Sequence, residues 1–221
     1  EFRRVLFRSA LTKSRNLVTI KILQDIGVDY AIDYATRLGI DSKLSRDLSI
    51  ALGSSGISLL ELLRAYSVFA NQGYLVEPVF VLKVTDRHGN VLEEMANERK
   101  KVIEKSTAYI MTSLLEGVVK HGTGRRVRAL KRPVAGKTGT TNNLFDAWFV
   151  GYTPQFITGV WVGLDEEAPL GKGETGSRAA SPIWLGFMQG VLENEPVKVF
   201  QAPEGIVFAK IDADSGLLPV P

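Results

Sequence analysis

Val134-Ala135-Gly136-Lys137-Thr138-Gly139-Thr140-Thr141 packs a cation, threonine hydroxyls and two glycines into a β-like run. Two apolar segments follow, Ala147 to Tyr152 and Phe156 to Leu164, with Thr153-Pro154-Gln155 between them. The pattern predicts three strands, Val134 to Thr140, Asp146 to Tyr152 and Phe156 to Leu164, the last two joined as a hairpin. Gly136-Lys137-Thr138 also matches the end of a phosphate-binding loop, but that motif needs glycine five positions before Gly136 and a helix after it. Position 131 is lysine, and the run continues as a strand. The other reading is an edge strand that binds a ligand. Lys137 supplies a point charge, Thr138 and Thr140 supply hydroxyls, and Gly139 leaves bare backbone for an extended peptide to approach. The Thr140 N–H can then aim at the oxyanion of an acyl-transfer step. An ordinary strand with a bulge also accounts for these residues.

Composition narrows the choice. With 221 residues, 45% hydrophobic and 23% charged, the chain can bury a sizeable core, as one domain or one and a half. No cysteine is present, which excludes disulfides, thiol catalysis and Cys-ligated zinc. Net charge is +3, and the dense basic cluster Arg125-Arg126-Val127-Arg128 with Lys131-Arg132 lacks the interleaved aromatics of a nucleic-acid face. No apolar run reaches the roughly 18 to 20 residues that span a bilayer.

Upstream, the first third reads as helical. Leu17, Ile20 and Leu23 share a helical face that stops at Gly27, Asp29 is placed to cap a helix running to Gly39, and Ser58-Leu59-Leu60-Glu61 is a capping box opening a helix to Ala70. Val79 to Thr85 alternates and, through Arg87-His88-Gly89-Asn90, predicts a hairpin with Val91-Leu92. Ser106 to Lys120 is helical again, with His121 in its last turn; both histidines read as structural. Pro182 to Leu192 predicts a helix burying Ile183, Trp184, Phe187, Met188 and Val191. Residues 196–221 read as an extended tail or the start of another module. Glu1 to Ser9 resembles a translated sequencing-library adapter, the alternative being a basic amphipathic N-terminal segment, and is set aside as non-native, leaving 10–195 as the domain.

Lys137-Thr138-Gly139 is one of three active-site elements of penicillin-binding proteins and serine β-lactamases. Ser14-Arg15-Asn16 matches a second, Ser-x-Asn, and the runs Ser14 to Gly27, Ala51 to Tyr74, Gly122-Thr123-Gly124, Val134 to Pro154 and Ala179 to Trp184 are also similar to that family. The chain resembles the transpeptidase domain of class A, bifunctional penicillin-binding proteins, most closely the 1A type. The third element, Ser-x-x-Lys, is absent: no serine has lysine three residues on. In the family it lies upstream of Ser-x-Asn, so the expectation is an N-terminally truncated domain, inactive alone, its sheet lacking a strand contribution from before Ala10.

The resemblance implies an α+β fold, with an antiparallel sheet flanked by helices and a mostly helical lobe. It implies a D,D-transpeptidase acting on peptidoglycan stem peptides ending in D-Ala-D-Ala, with β-lactams as substrate mimics, no cofactor, no metal and no nucleic-acid partner. Ser14 would relay protons, and Asn16 would bind the substrate amide and orient the absent lysine. Lys137, Thr138, Gly139 and Thr140 would take the terminal carboxylate, with the Thr140 N–H in the oxyanion hole. Ser14 also suits a helix N-cap. A serine β-lactamase, a D,D-carboxypeptidase and a penicilloyl-sensor module are the alternatives. The parent protein would sit at the periplasmic face of the bacterial inner membrane, anchored and carrying a glycosyltransferase domain.

Overall fold

The three strands read around Lys137 form one antiparallel meander in the computed structural model, which describes residues 2–96 and 98–211. The helices are α1 (Phe2–Lys13), α2 (Asn16–Ile26), α3 (Val28–Arg37), α4 (Leu59–Ala70), α5 (Lys105–His121) and α6 (Ser181–Val191). The strands are β1 (Tyr74–Val76), β2 (Lys83–Thr85), β3 (Val91–Glu94), β4 (Arg99–Lys101), β5 (Ala135–Thr140), β6 (Ala147–Tyr152) and β7 (Ile157–Val162). The meander runs β5-β6-β7, with β1 paired to β4 and β2 to β3 in separate two-stranded ribbons. This is a mixed α/β fold: an antiparallel sheet flanked by helices, with a separate helical lobe.

Register assigns the two faces of the meander. Lys137 lies opposite Val150 and Gly159, and Gly139 opposite Trp148 and Trp161, so these share one face; Thr138 lies opposite Phe149 on the other. The Thr138 face packs on α6 and the 125–130 turn through Val127, Leu130, Phe149, Trp184 and Met188, all essentially buried. The Lys137 face meets the helical lobe, where Leu115 of α5 clusters with Ala135 and Tyr152. Both faces are therefore covered, which is why β6 reads as an almost unbroken apolar run.

Several local expectations need correction. Gly27 (φ 87), not Asp29, precedes α3: its N–H closes α2 on Leu23 O at 2.8 Å and its carbonyl accepts from Ala31 N at 3.2 Å. One glycine thus serves two helices, and Asp29 instead accepts from Arg46 at 2.8 Å. Of the expected 79–85 strand, Lys83–Thr85 forms β2; every residue of β2 and β3 is exposed, and Phe80 is 82% exposed. On α6 the buried stripe is Trp184 and Met188, four residues apart, which turns Ile183 and Phe187 out to solvent. The capping box holds, with Ser58 Oγ accepting from Glu61 N at 3.1 Å and Glu61 Oε2 accepting from Ser58 N at 3.0 Å.

At the N-terminus α1 runs unbroken from Phe2 through Lys13, so the backbone marks no boundary at Ser9. At the other end residues 196–211 carry no helix or strand, and the first of them are held against the core. The Arg132 guanidinium donates to the carbonyls of Leu192 (2.7 Å) and Pro196 (3.1 Å), and Phe200 meets Tyr152 edge-on at 5.7 Å. The remainder of the expected tail, 212–221, lies outside the described residues.

Candidate functional site

The turn between α1 and α2 carries Ser14. Ser14 N donates to Leu11 O at 3.2 Å and Arg15 N to Ala10 O at 2.8 Å, the paired closure that ends a helix in a left-handed residue. That residue is Ser14, at φ 54, where glycine is usual and a side chain costs roughly 1 kcal/mol. The N-cap of α2 is Arg15, and no side chain caps it. Ser14 therefore closes α1 and is not the N-cap of α2. Its hydroxyl faces β5, and Lys137 Nζ donates to it at 2.9 Å.

Lys137 stands in the middle of β5 with a half-buried side chain, its ammonium also donating to Thr138 O at 2.8 Å. Burial disfavours the charged form and pushes its pKa down to about 8. An amine poised there exchanges its proton near neutral pH. The neighbouring Thr138 is buried, its Oγ1 2.6 Å from Thr123 Oγ1. Thr140 is exposed, and its Oγ1 accepts from Gly176 N at 3.0 Å, leaving its own proton to donate. Gly176 reaches that position only because it lacks a Cβ, which would collide with the Gly139 and Trp148 carbonyl oxygens.

The structure thus joins Ser14 to Lys137; Thr138, Gly139 and Thr140 follow on the same strand, with Thr138 on the opposite face against Thr123. Asn16 opens α2, exposed and two residues from Ser14; among the described residues its side chain has no hydrogen-bond partner. Asp146 closes the turn after β5, its N–H donating to Thr141 Oγ1 at 2.8 Å while its carboxylate accepts from Trp161 Nε1 at 2.7 Å. A groove of about 470 Å³ opens beneath residues 197–203, lined also by Phe69, Tyr109 and Thr112 and by none of the candidate residues. The candidate site is an open strand edge.

Sequence reasoning missed the residues behind this edge. Thr123 N donates to Thr12 O at 3.3 Å, and a Cβ on Gly122 would collide with that same carbonyl oxygen. In the sequence Gly122-Thr123-Gly124 stands out only as one of the runs similar to the family. Nothing local shows that it touches both α1 and β5.

The family described as the penicillin binding protein transpeptidase domain matches residues 3–188. Penicillin-binding protein 1A of Pseudomonas aeruginosa is 37% identical over 266 aligned positions, which take in 97% of this chain and 32% of that protein. The 1A protein of Aquifex aeolicus is 41% identical over 208, covering 94% of this chain and 28% of that one. This chain thus spans about a third of the length of these curated relatives. Among solved structures, penicillin-binding protein 1A of Haemophilus influenzae superposes with a TM-score of 0.90 at 28% identity, over 96% of this chain and 38% of that one. PonA1 of Mycobacterium tuberculosis gives 0.79 at 27% identity, over 97% of this chain and 61% of that one.

Proposed function

Since the chain belongs to the penicillin-binding protein transpeptidase family, we propose that β5 and the α1–α2 turn are the substrate-holding part of a peptidoglycan D,D-transpeptidase site. The observation that carries this reading is the 2.9 Å hydrogen bond from Lys137 Nζ to Ser14 Oγ, with the lysine brought down to about 8. A hydroxyl so placed can pass a proton to a departing amine and take one from an incoming amine, with Lys137 as its partner.

In the proposed reaction a serine attacks the carbonyl between the two terminal D-alanines, and the last D-alanine leaves with a proton on its amine. The acyl-enzyme then passes to an amine of a neighbouring stem peptide, which loses its proton as the crosslink forms. Lys137, Thr138 and Thr140 hold the donor's terminal carboxylate, and the Thr140 N–H shares the oxyanion hole with the N–H of the attacking serine. Asn16 holds the substrate amide. β-Lactams enter as mimics of the D-alanyl dipeptide. Because no serine here has lysine three residues on, the nucleophile is assigned to sequence outside these 221 residues. The chain alone is proposed to be inactive. The intact protein is proposed to work at the periplasmic face of the inner membrane, with an anchor and a glycosyltransferase domain beyond this chain; among the described residues no helix is long and apolar enough to cross a membrane.

Fluorescent penicillin tests the assignment, applied to this chain and to a form extended upstream to include Ser-x-x-Lys. The chain should stay dark and the extended form should label. Covalent labelling of the chain itself would overturn the assignment of the nucleophile.

A further inference from the structure

Thr123 holds both halves of the site together. Its side-chain oxygen lies 2.6 Å from Thr138 Oγ1, and its N–H donates to Thr12 O, two residues before Ser14. One residue thus bonds to the strand that carries Lys137 and to the helix end that carries Ser14. The preceding residue, Gly122, lets the two backbones approach as closely as this requires.

We propose that Thr123 is a positioning residue for anion recognition: its hydroxyl donates to Thr138 Oγ1 and thereby turns the Thr138 proton outward, toward a carboxylate lying along β5. Each hydroxyl carries one proton and can accept from others. At 2.6 Å one of the two protons lies between the oxygens. An anion at the strand edge accepts hydrogen bonds only, so it selects the arrangement in which Thr138 points out and Thr123 points in. Thr138 is buried and among the described residues has no other side-chain hydrogen-bond partner, so without Thr123 its oxygen would lose the donor that orients it. The same contact fixes the distance between strand and turn, and with it the separation of Thr138 from the Lys137–Ser14 pair.

This inference rests on the transpeptidase reading, and the test separates the two. The 221-residue chain is titrated by NMR with diacetyl-Lys-D-Ala-D-Ala and with the same peptide ending in a carboxamide. Wild type should prefer the carboxylate. Thr123→Val, which keeps the shape and removes the hydroxyl, should weaken carboxylate binding roughly fivefold, the equivalent of one neutral hydrogen bond. It should leave carboxamide binding unchanged, and Thr123→Ser should restore the preference. A Thr123→Val chain that binds the carboxylate as wild type does, or that loses both peptides equally, overturns the positioning role. A wild-type chain that does not distinguish the two peptides overturns the transpeptidase reading of the edge itself, and this inference with it.

Discussion

Lys137 Nζ donates a 2.9 Å hydrogen bond to Ser14 Oγ across 123 positions of sequence. One partner is half-buried in the middle of a strand, and the other occupies a left-handed turn that favours glycine. Backbone cost at one end and desolvation cost at the other meet at a single contact. Residues held at such cost cluster at functional sites, which is why this pair carries the proposed function.

Replacing Ser14 separates the two terms. Ser14→Gly removes the hydroxyl but relieves the backbone, and is expected to unfold in urea within a few tenths of a kcal/mol of wild type. Ser14→Ala keeps the strain and is expected to be less stable than the glycine variant by about 1 kcal/mol. In the upstream-extended form both should slow penicillin acylation by about 10²-fold or more. A glycine variant less stable than the alanine one would contradict the left-handed assignment.

Lys137 makes stability depend on pH in a stated direction. Its folded pKa, about 8, lies below the ordinary value of 10.5. Between these values the unfolded chain keeps a proton that the folded chain has lost, so stability rises as pH climbs through this window. Below pH 8 the full penalty applies, at most on the order of 3 kcal/mol and less for a half-buried group. Lys137→Met should be flat over this window in urea unfolding, so any advantage it holds at pH 7 should shrink toward pH 10. Parallel curves for the two proteins would show that burial does not depress this amine.

Gly122→Ala forces a methyl group against the Thr12 carbonyl and should cost on the order of 2 kcal/mol in chemical denaturation. Native-state hydrogen exchange at the Thr123 amide should accelerate more than exchange within β6. Uniform acceleration would mean that the turn is not the point of strain.

Thr112 and Tyr152 form a buried pair whose donor can be assigned. Thr112 Oγ1 donates to Ala108 O at 2.9 Å, so the Tyr152 hydroxyl donates to Thr112 at 2.9 Å, and burial pushes the phenol up. Thr112→Val leaves that hydroxyl orphaned and should cost about 1 to 3 kcal/mol. Adding Tyr152→Phe removes the orphan, and the double variant should lose less than the two single losses added together. Additive losses would argue against the pairing.

Most of the long helices, the three strands of the central meander and the family were legible in the sequence; α1 and the short strands β1 and β4 were not. The apolar segments after Lys137 are read correctly as strands because a strand with both faces covered is apolar along its length. Lys-Thr-Gly with Ser-Arg-Asn pointed to the family because together they match two of its three active-site elements. Tertiary structure alone decided how the site is held. Ser14 reads as an N-cap when only the helix after it is considered; it ends α1 instead, a helix that runs into the segment the sequence reading had set aside. Thr123 and Thr138 are 15 positions apart and Thr112 and Tyr152 are 40 apart, and nothing in either local pattern links them. Periodicity records which side of an element is buried. Which hydroxyl meets which depends on the path of the backbone between them, and that is settled only when α1, α5 and β5 pack together.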